Sequence, residues 1–366
     1  MLNDRKKEIL QAIIEEYIQT ADPVSSKAIV EKYQIDCSSA TVRNEMAELE
    51  KKGYLDKPHT SAGRVPSAKG YRFYVDELIK EDSLSLEEII YIQSKLQTKV
   101  NQMKDLTKIT TNTLSEITHY PTVSIGPNKH NQIIEDIKFV LLGTQTMMAI
   151  ILTDSGIIKE TIIKFDEDIT EEQVKTLTFL FNNKLKGKTL DYIDRPIEEY
   201  IFSEMTESLD VITTVLEEIK KVINAEDDVY YEGANKVFEL PEFKDFEMAK
   251  NFINVLDEKD TMIGKLNESI DDDIHIYIGD EEDNELKDFS IITFNNKVHG
   301  KSVGTIGIIG PKRMDYAKVI AALKYINRRM NQGGLLTSGD EKQNWKRKKE
   351  WKWKKKKKSW KRKKKN

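Results

Sequence analysis

The chain has 366 residues, 33% of them charged and 39% from the hydrophobic set, which is too long for one ordinary core and predicts two or three compact domains. No stretch reaches the ~20 consecutive apolar residues that a bilayer span needs, and the single cysteine, Cys37, excludes an internal disulfide framework and any multi-cysteine metal site. The net charge of -4 conceals a division: residues 341–366 hold 16 Lys or Arg against Glu341 and Glu350, together with all four tryptophans, leaving residues 1–340 at -18.

Met1-Leu2-Asn3-Asp4 leads straight into an amphipathic pattern, without the basic start and apolar run of a secretory signal, so a soluble cytoplasmic protein is expected. From Asn3 to Gln19 the residues Ile9, Leu10, Ile13, Ile14, Tyr17 and Ile18 recur on one helical face, and Asp22-Pro23 ends the helix. Ser25 or Ser26 caps a short second helix through Lys32, with Ala28, Ile29 and Tyr33 inward. Ser38 or Ser39 caps a third, in which Val42, Met46 and Leu49 form the inner stripe, ending near Lys52 before Gly53. Tyr54–Lys57 and Arg64-Val65-Pro66 read as two short strands around a turn-rich loop, a wing.

Ser67 opens a further helix to about Glu81. A capping box at Ser85 and Glu88 starts a long helix to about Thr118, predicted as a linker and dimer seam because its apolar residues recur at spacings of three and four, broken by one eight-residue gap. Thr122 to Phe165 turns β-branched and alternating, which predicts antiparallel strands. Helical periods return at Glu171–Asn183, Glu198–Asn224 and Asp245–Leu256, with a strand start at Asp227–Tyr231. Strands at Ile274–Ile278, Phe289–Phe294 and Val303–Ile309 and a helix from Met314 to about Met330 complete an α+β body.

The order helix, helix, turn, helix, strand, loop, strand is that of a winged helix-turn-helix, whose third helix enters the major groove of duplex DNA. With Val42, Met46 and Leu49 inward, a step of about 100° per residue turns Ala40, Arg43, Asn44, Ala47 and Lys51 outward. Arg pairs bidentately with guanine and Asn with adenine, while Ser39 and Ala40 are small enough to let the helix start approach the bases. The helix start, Ser39 and Thr41 can donate to phosphate. Residues 51–73 hold Lys51, Lys52, Lys57, Arg64, Lys69 and Arg72 against Asp56 alone, a local +5 suited to the phosphate backbone. The candidate DNA-binding residues are therefore Ser39, Ala40, Thr41, Arg43, Asn44, Lys51, Lys57, His59, Thr60 and Arg64. A helical module used for protein contacts, with Arg43 and Asn44 merely solvated, fits the fold order and the basic wing less well.

The string Ser38-Ser39-Ala40-Thr41-Val42-Arg43-Asn44-Glu45-Met46-Ala47-Glu48-Leu49-Glu50, with Gly53-Tyr54-Leu55 and Pro58-His59-Thr60-Ser61-Ala62-Gly63-Arg64-Val65-Pro66, resembles the HrcA family of heat-inducible transcription repressors. The likeness continues at Gly70-Tyr71-Arg72-Phe73-Tyr74-Val75 and, more weakly, through Gly304-Thr305-Ile306-Gly307-Ile308-Ile309-Gly310-Pro311 to about residue 335. The resemblance implies a homodimer that binds the CIRCE inverted repeat upstream of chaperone operons. It also implies a GAF-like domain with an inserted dimerisation domain, and the chaperonin GroEL as co-repressor.

The expected architecture is thus an α+β multidomain chain. It has a winged helix-turn-helix over 1–82, a long linker helix over 83–120, a GAF-like α+β domain over 121–340 with an inserted dimerisation segment at about 155–225, and a disordered basic tail over 341–366.

No catalytic constellation, metal site or cofactor motif is expected. Gly304, Gly307 and Gly310 match neither phosphate-loop spacing, Asp271–Asp273 and Asp280–Asp283 lack the alternation of a calcium loop, and the five histidines are scattered. A second functional reading is a small-molecule sensor whose GAF-like domain binds a ligand that sets DNA affinity. The tail reads either as a nonspecific binder of DNA or anionic membrane or as the product of a one-base slip in a Glu- and Lys-rich reading frame. The slip is preferred because the resembled family has no counterpart to the tail.

Overall fold

The computed structural model describes residues 2–58, 63–79, 84–96, 103–195, 209–224, 229–268, 274–279, 286–298 and 300–331. The wing-loop residues His59 and Thr60, the start of the helix expected from Glu198, the two acidic clusters and the basic tail lie outside them. Among the described residues no helix is long and apolar enough to cross a membrane.

Three helices build the N-terminal module: α1 (Asp4–Thr20), α2 (Ser26–Tyr33) and α3 (Ser39–Lys51). Each starts where a short polar side chain accepts a main-chain N–H that the helix leaves unpaired: Asn3 from Lys6, Ser25 from Ala28, and Ser38 from Thr41. Ile9, Ile13, Ile29, Val42 and Leu49 are fully withdrawn from water where the three helices meet. Each such side chain contributes about 1.5–3 kcal/mol, so α3 is held by its inner stripe. Gly53 ends α3: with φ +78 it lets its own N–H reach Glu50 O and the Tyr54 N–H reach Leu49 O, a Schellman closure. The chain then forms β1 (Leu55–Asp56) and β2 (Val65–Pro66), an antiparallel pair with Leu55 opposite Pro66, and α4 (Ala68–Phe73), which continues as a π turn at Tyr74–Leu78.

The expected long helix is two, α5 (Leu86–Leu96) and α6 (Met103–Thr118), packed against each other. A continuous helix cannot touch itself in this way, so the reading of 83–120 as one long helix is corrected. Ile92, Leu114 and Ile117 are buried in the chain's own core.

The main α+β domain is a fully antiparallel five-stranded sheet, order β7-β3-β10-β9-β8. Its strands are β3 (Thr122–Ile125), β7 (Tyr230–Glu232), β8 (Ile274–Ile278), β9 (Phe289–Val298) and β10 (Lys301–Pro311). Helix α6 packs on β3 and β10.

The insertion lies between β3 and β7, which pair side by side although about a hundred residues separate them. It begins near residue 128, earlier than the expected border at 155, and takes in β4 (Ile134–Gly143), β5 (Thr146–Thr153) and β6 (Ile158–Lys164), a meander of order β4-β5-β6. One face of this small sheet, with Ile137, Phe139, Met147, Ala149, Ile151 and Ile163, is sealed by α7 (Glu171–Leu185) and α8 (Leu209–Asn224), whose buried Phe181, Val215 and Ile219 complete a separate core. The opposite face is open and mixed: Val140, Met148 and Ile162 lie in one register row and Leu152 and Ile158 in another, with Val140, Ile158 and Ile162 exposed, while Lys138, Ile150 and Glu160 form the row between them.

After β7 come two 3-10 turns, Ala234–Glu239 and Pro241–Lys244, then α9 (Phe246–Asp257) and α10 (Lys259–Glu268). Their side of the main sheet is filled by the rings of Phe243, Phe252 and Phe289, with centroids 5.3–6.1 Å apart. The last described helix, α11 (Tyr316–Asn331), packs on β9 and α6. The N-terminal module and this domain share one contiguous core, in which the ring of Tyr71 packs on that of Tyr316.

Candidate nucleic-acid interface

Ala40, Arg43, Asn44 and Lys51 are exposed on α3, opposite Val42, Met46 and Leu49. Among the described residues no hydrogen bond or ion pair engages the side chains of Arg43 and Asn44, so both are free to meet a ligand. Lys51 and Lys52 are exposed at the far end of the helix, and Lys57 just after β1 in the wing. The helix rests on α1 through Lys6, whose Nζ reaches Glu45 at 2.8 Å and Glu48 at 3.0 Å. These carboxylates, Glu45 first, hold the Lys6 ammonium above its ordinary range, and Lys6 in turn holds the Glu48 carboxyl below its own.

The hydroxyls proposed as phosphate donors are engaged at the helix start. Ser39 Oγ lies 2.9 Å from Ser26 Oγ, joining the first turns of α2 and α3, and Thr41 Oγ1 lies 3.0 Å from the capping Ser38 Oγ. Ser38, not Ser39, is the cap.

Arg64 is not a free cation. Its Nε and Nη2 donate to Glu50 Oε2 at 2.8 and 2.7 Å, its side chain is 17% exposed, and its main chain exchanges two 2.9 Å hydrogen bonds with Val24. The sequence signal for this was the proximity of Glu50 to the end of α3, which the count of local cations passed over. Two further members of the basic cluster are spoken for. Lys69 Nζ donates to Lys52 O at 2.9 Å with its charge 4.6 Å from the Tyr54 ring, and Arg72 Nη2 donates to Ile276 O at 2.6 Å. Of the six cations counted between 51 and 73, Lys51, Lys52 and Lys57 remain as an exposed phosphate-facing set.

This is a surface that can read a major groove: a helix presenting one planar cation and one amide outward, flanked by exposed ammonium groups and a braced wing. The family model described as "Winged helix-turn-helix transcription repressor, HrcA DNA-binding" matches residues 1–77, and that described as "HrcA protein C terminal domain" matches residues 104–320. The chain belongs to the HrcA family. A relative named "Heat-inducible transcription repressor HrcA" from Acetivibrio thermocellus is 41% identical over 336 residues, covering 90% of this chain and 96% of its own. One of the same name from Ruminiclostridium cellulolyticum is 38% identical over 338 residues, covering 91% and 97%. A solved structure titled as that of a hypothetical protein superposes with a TM-score of 0.61 at 24% identity, over 91% of this chain and 98% of the other, and shows the same fold. The chain is thus a family member with a winged-helix DNA-binding domain and a mixed α+β remainder.

Proposed function

We propose that this chain represses chaperone operons from the cytoplasm by binding a CIRCE-type inverted repeat as a homodimer, with the chaperonin GroEL as co-repressor. The observation that carries the reading is the outward face of α3, where Arg43 and Asn44 have no side-chain partner among the described residues, in a domain that the family's DNA-binding model matches. Arg43 and Asn44 read base edges, Lys51, Lys52 and Lys57 meet phosphates, and Arg64 braces the wing from behind. The homodimer is supported by the exposed apolar side chains Val140, Ile158 and Ile162 on the open face of β4, β5 and β6, since a two-fold partner would cover them and present a second α3 to the other half-site.

Release on heat stress follows linkage. A chaperonin that favours the DNA-competent state loses its effect once unfolded protein occupies it. Adding the chaperonin at fixed salt therefore raises operator affinity, and an unchanged affinity would refute that part.

Footprinting on the protein's own upstream region tests the whole reading. Arg43→Ala relaxes sequence preference, whereas Lys57→Ala weakens all DNA about equally and lowers the slope of affinity against salt by about one phosphate contact. Identical effects from the two substitutions would overturn this division of labour.

A further inference from the structure

The N-terminal module meets the main domain through side chains that differ sharply in directionality. At the centre the rings of Tyr71 and Tyr316 lie 5.9 Å apart and both are buried. Tyr316 is pinned, its hydroxyl 2.8 Å from Ser290 Oγ and donating to Lys312 O at 2.7 Å. The Tyr71 hydroxyl is buried with no hydrogen-bond partner among the described residues, so this ring contributes contact without direction.

Direction comes from two arginines, one from each domain. Arg313, just after β10, donates from Nη1 to Ile18 O at 2.8 Å, in the last turn of α1 where carbonyls lack helical partners. Its Nε and Nη2 grip Glu242 of the second 3-10 turn, with Nη2 to Oε2 at 3.0 Å, so the fork is aimed before it reaches α1. In the opposite sense, Arg72 leaves α4 of the N-terminal module and donates from Nη2 to Ile276 O on β8, the edge strand of the main sheet.

We propose that Arg72 and Arg313 form a reciprocal clasp that sets the angle of the DNA-binding module on the main domain, and with it the spacing between half-sites that a dimer reads. Both are positioning residues and touch no DNA. The lever runs through α1: Arg313 holds its C-terminal end, while Lys6 near its start is tied to Glu45 and Glu48 of α3. A tilt of α1 is therefore a tilt of the recognition helix. At its other end the main domain is joined to the insertion by Lys301, whose Nζ donates to Asp154 O at 2.8 Å. The clasp is thus part of a continuous path from the turn between β5 and β6 of the insertion to α3. Arg72 Nη1 also lies 3.7 Å from Asp76, so each arginine spans a carboxylate and a carbonyl, which one lysine ammonium cannot do with a planar fork.

The inference rests on the homodimer reading above, and its test separates the two. The full-length protein, Arg313→Lys and Arg72→Lys are each titrated with three duplexes: the footprinted inverted repeat, the same repeat with half a helical turn, about 5 bp, inserted at its centre, and a duplex carrying one half. The unaltered protein prefers the native spacing over the lengthened one by about tenfold or more. Both variants bring that ratio towards one while binding the single half within about twofold of the unaltered protein. An unchanged ratio in both variants overturns the clasp. So does a fall in single-half binding that tracks the fall in the ratio, which would make the arginines supports of the module's own fold. If the unaltered protein shows no spacing preference, the homodimer reading fails and takes the clasp with it.

Discussion

A Cβ on residue 63 would stand 2.3 Å from Val24 O and 2.7 Å from Pro23 O, so only glycine lets the returning wing strand lie against the loop after α1. That contact places Arg64 where its main chain pairs with Val24 and its guanidinium with Glu50. Sequence showed Arg64 as one more cation in a basic stretch, because counting charges reports composition and not the partner that folding brings alongside. Arg43 and Asn44 were legible for the opposite reason: three apolar residues at helical spacing fix which residues face out. Gly63→Ala is expected to cost about 1–3 kcal/mol in denaturant unfolding and to weaken DNA binding through a displaced wing. Gly143, where a Cβ meets nothing within 4 Å, supplies the control, and Gly143→Ala stays within about 0.5 kcal/mol. Equal midpoints for the two variants would show that the wing does not depend on this close approach.

Helices with one apolar stripe announced themselves, as α1, α3 and α7 did, since spacing of three and four requires a single buried face. The division between α5 and α6 did not, because the same spacing runs on through Leu96, Val100 and Met103, and periodicity records a face rather than continuity. Helix α6 also hides its burial. Thr110, Thr111, Thr113 and Thr118 are buried polar residues whose hydroxyls donate to the carbonyls four residues back at 2.7–2.8 Å, which satisfies them without an apolar pattern to read. Helix α10 went unread because Gly264 interrupts a segment whose apolar residues are few. At this scale the start of α3 is the sharpest test, since Ser38 alone caps it. Ser38→Ala removes the acceptor of the Thr41 N–H and is expected to cost about 1 kcal/mol, seen as a lower melting temperature. Ser38→Thr, which keeps the acceptor, recovers most of it, and an equal loss from both would mean that the hydroxyl does not cap the helix.

At the scale of the molecule, the winged helix and the α+β body were foreseen in order. The insertion's true start was not, because alternating strands look alike whether they extend one sheet or build another. Only the β3–β7 pairing reveals it. Two tests belong here. If the open face of the insertion's sheet is the dimer surface, Ile162→Glu puts a charge into the apolar row that Ile162 forms with Met148 and Val140 and leaves a folded monomer in sedimentation, whereas an unchanged dimer places the interface elsewhere. The second concerns the joint where the insertion closes on itself. Lys129 Nζ lies 3.1 Å from Asp194 and 2.6 Å from Asn224 Oδ1, Asn224 donates to Asp194 at 2.6 Å, and His130 Nδ1 lies 2.9 Å from Asp191. The Thr189 hydroxyl, then His130, hold the Asp191 carboxyl below its ordinary 3.8, and Asn224 and Lys129 do the same for Asp194 against the cost of desolvation. A carboxyl whose folded value is depressed contributes stability that is present above the unfolded value and disappears as pH falls through the folded one. Both groups are partly exposed, so screening limits each to about 0.2–1 kcal/mol. Melting temperature should therefore hold from neutral pH down to about 5 as far as these groups govern it, and fall below about 4. In Asp191→Asn/Asp194→Asn the protein starts less stable at neutral pH and its acid limb is shallower, because two groups that released protons on folding are gone. An acid limb as steep as that of the unaltered protein would place its acid sensitivity in carboxylates outside this joint, such as Glu48 against Lys6 or Glu116 against Lys236.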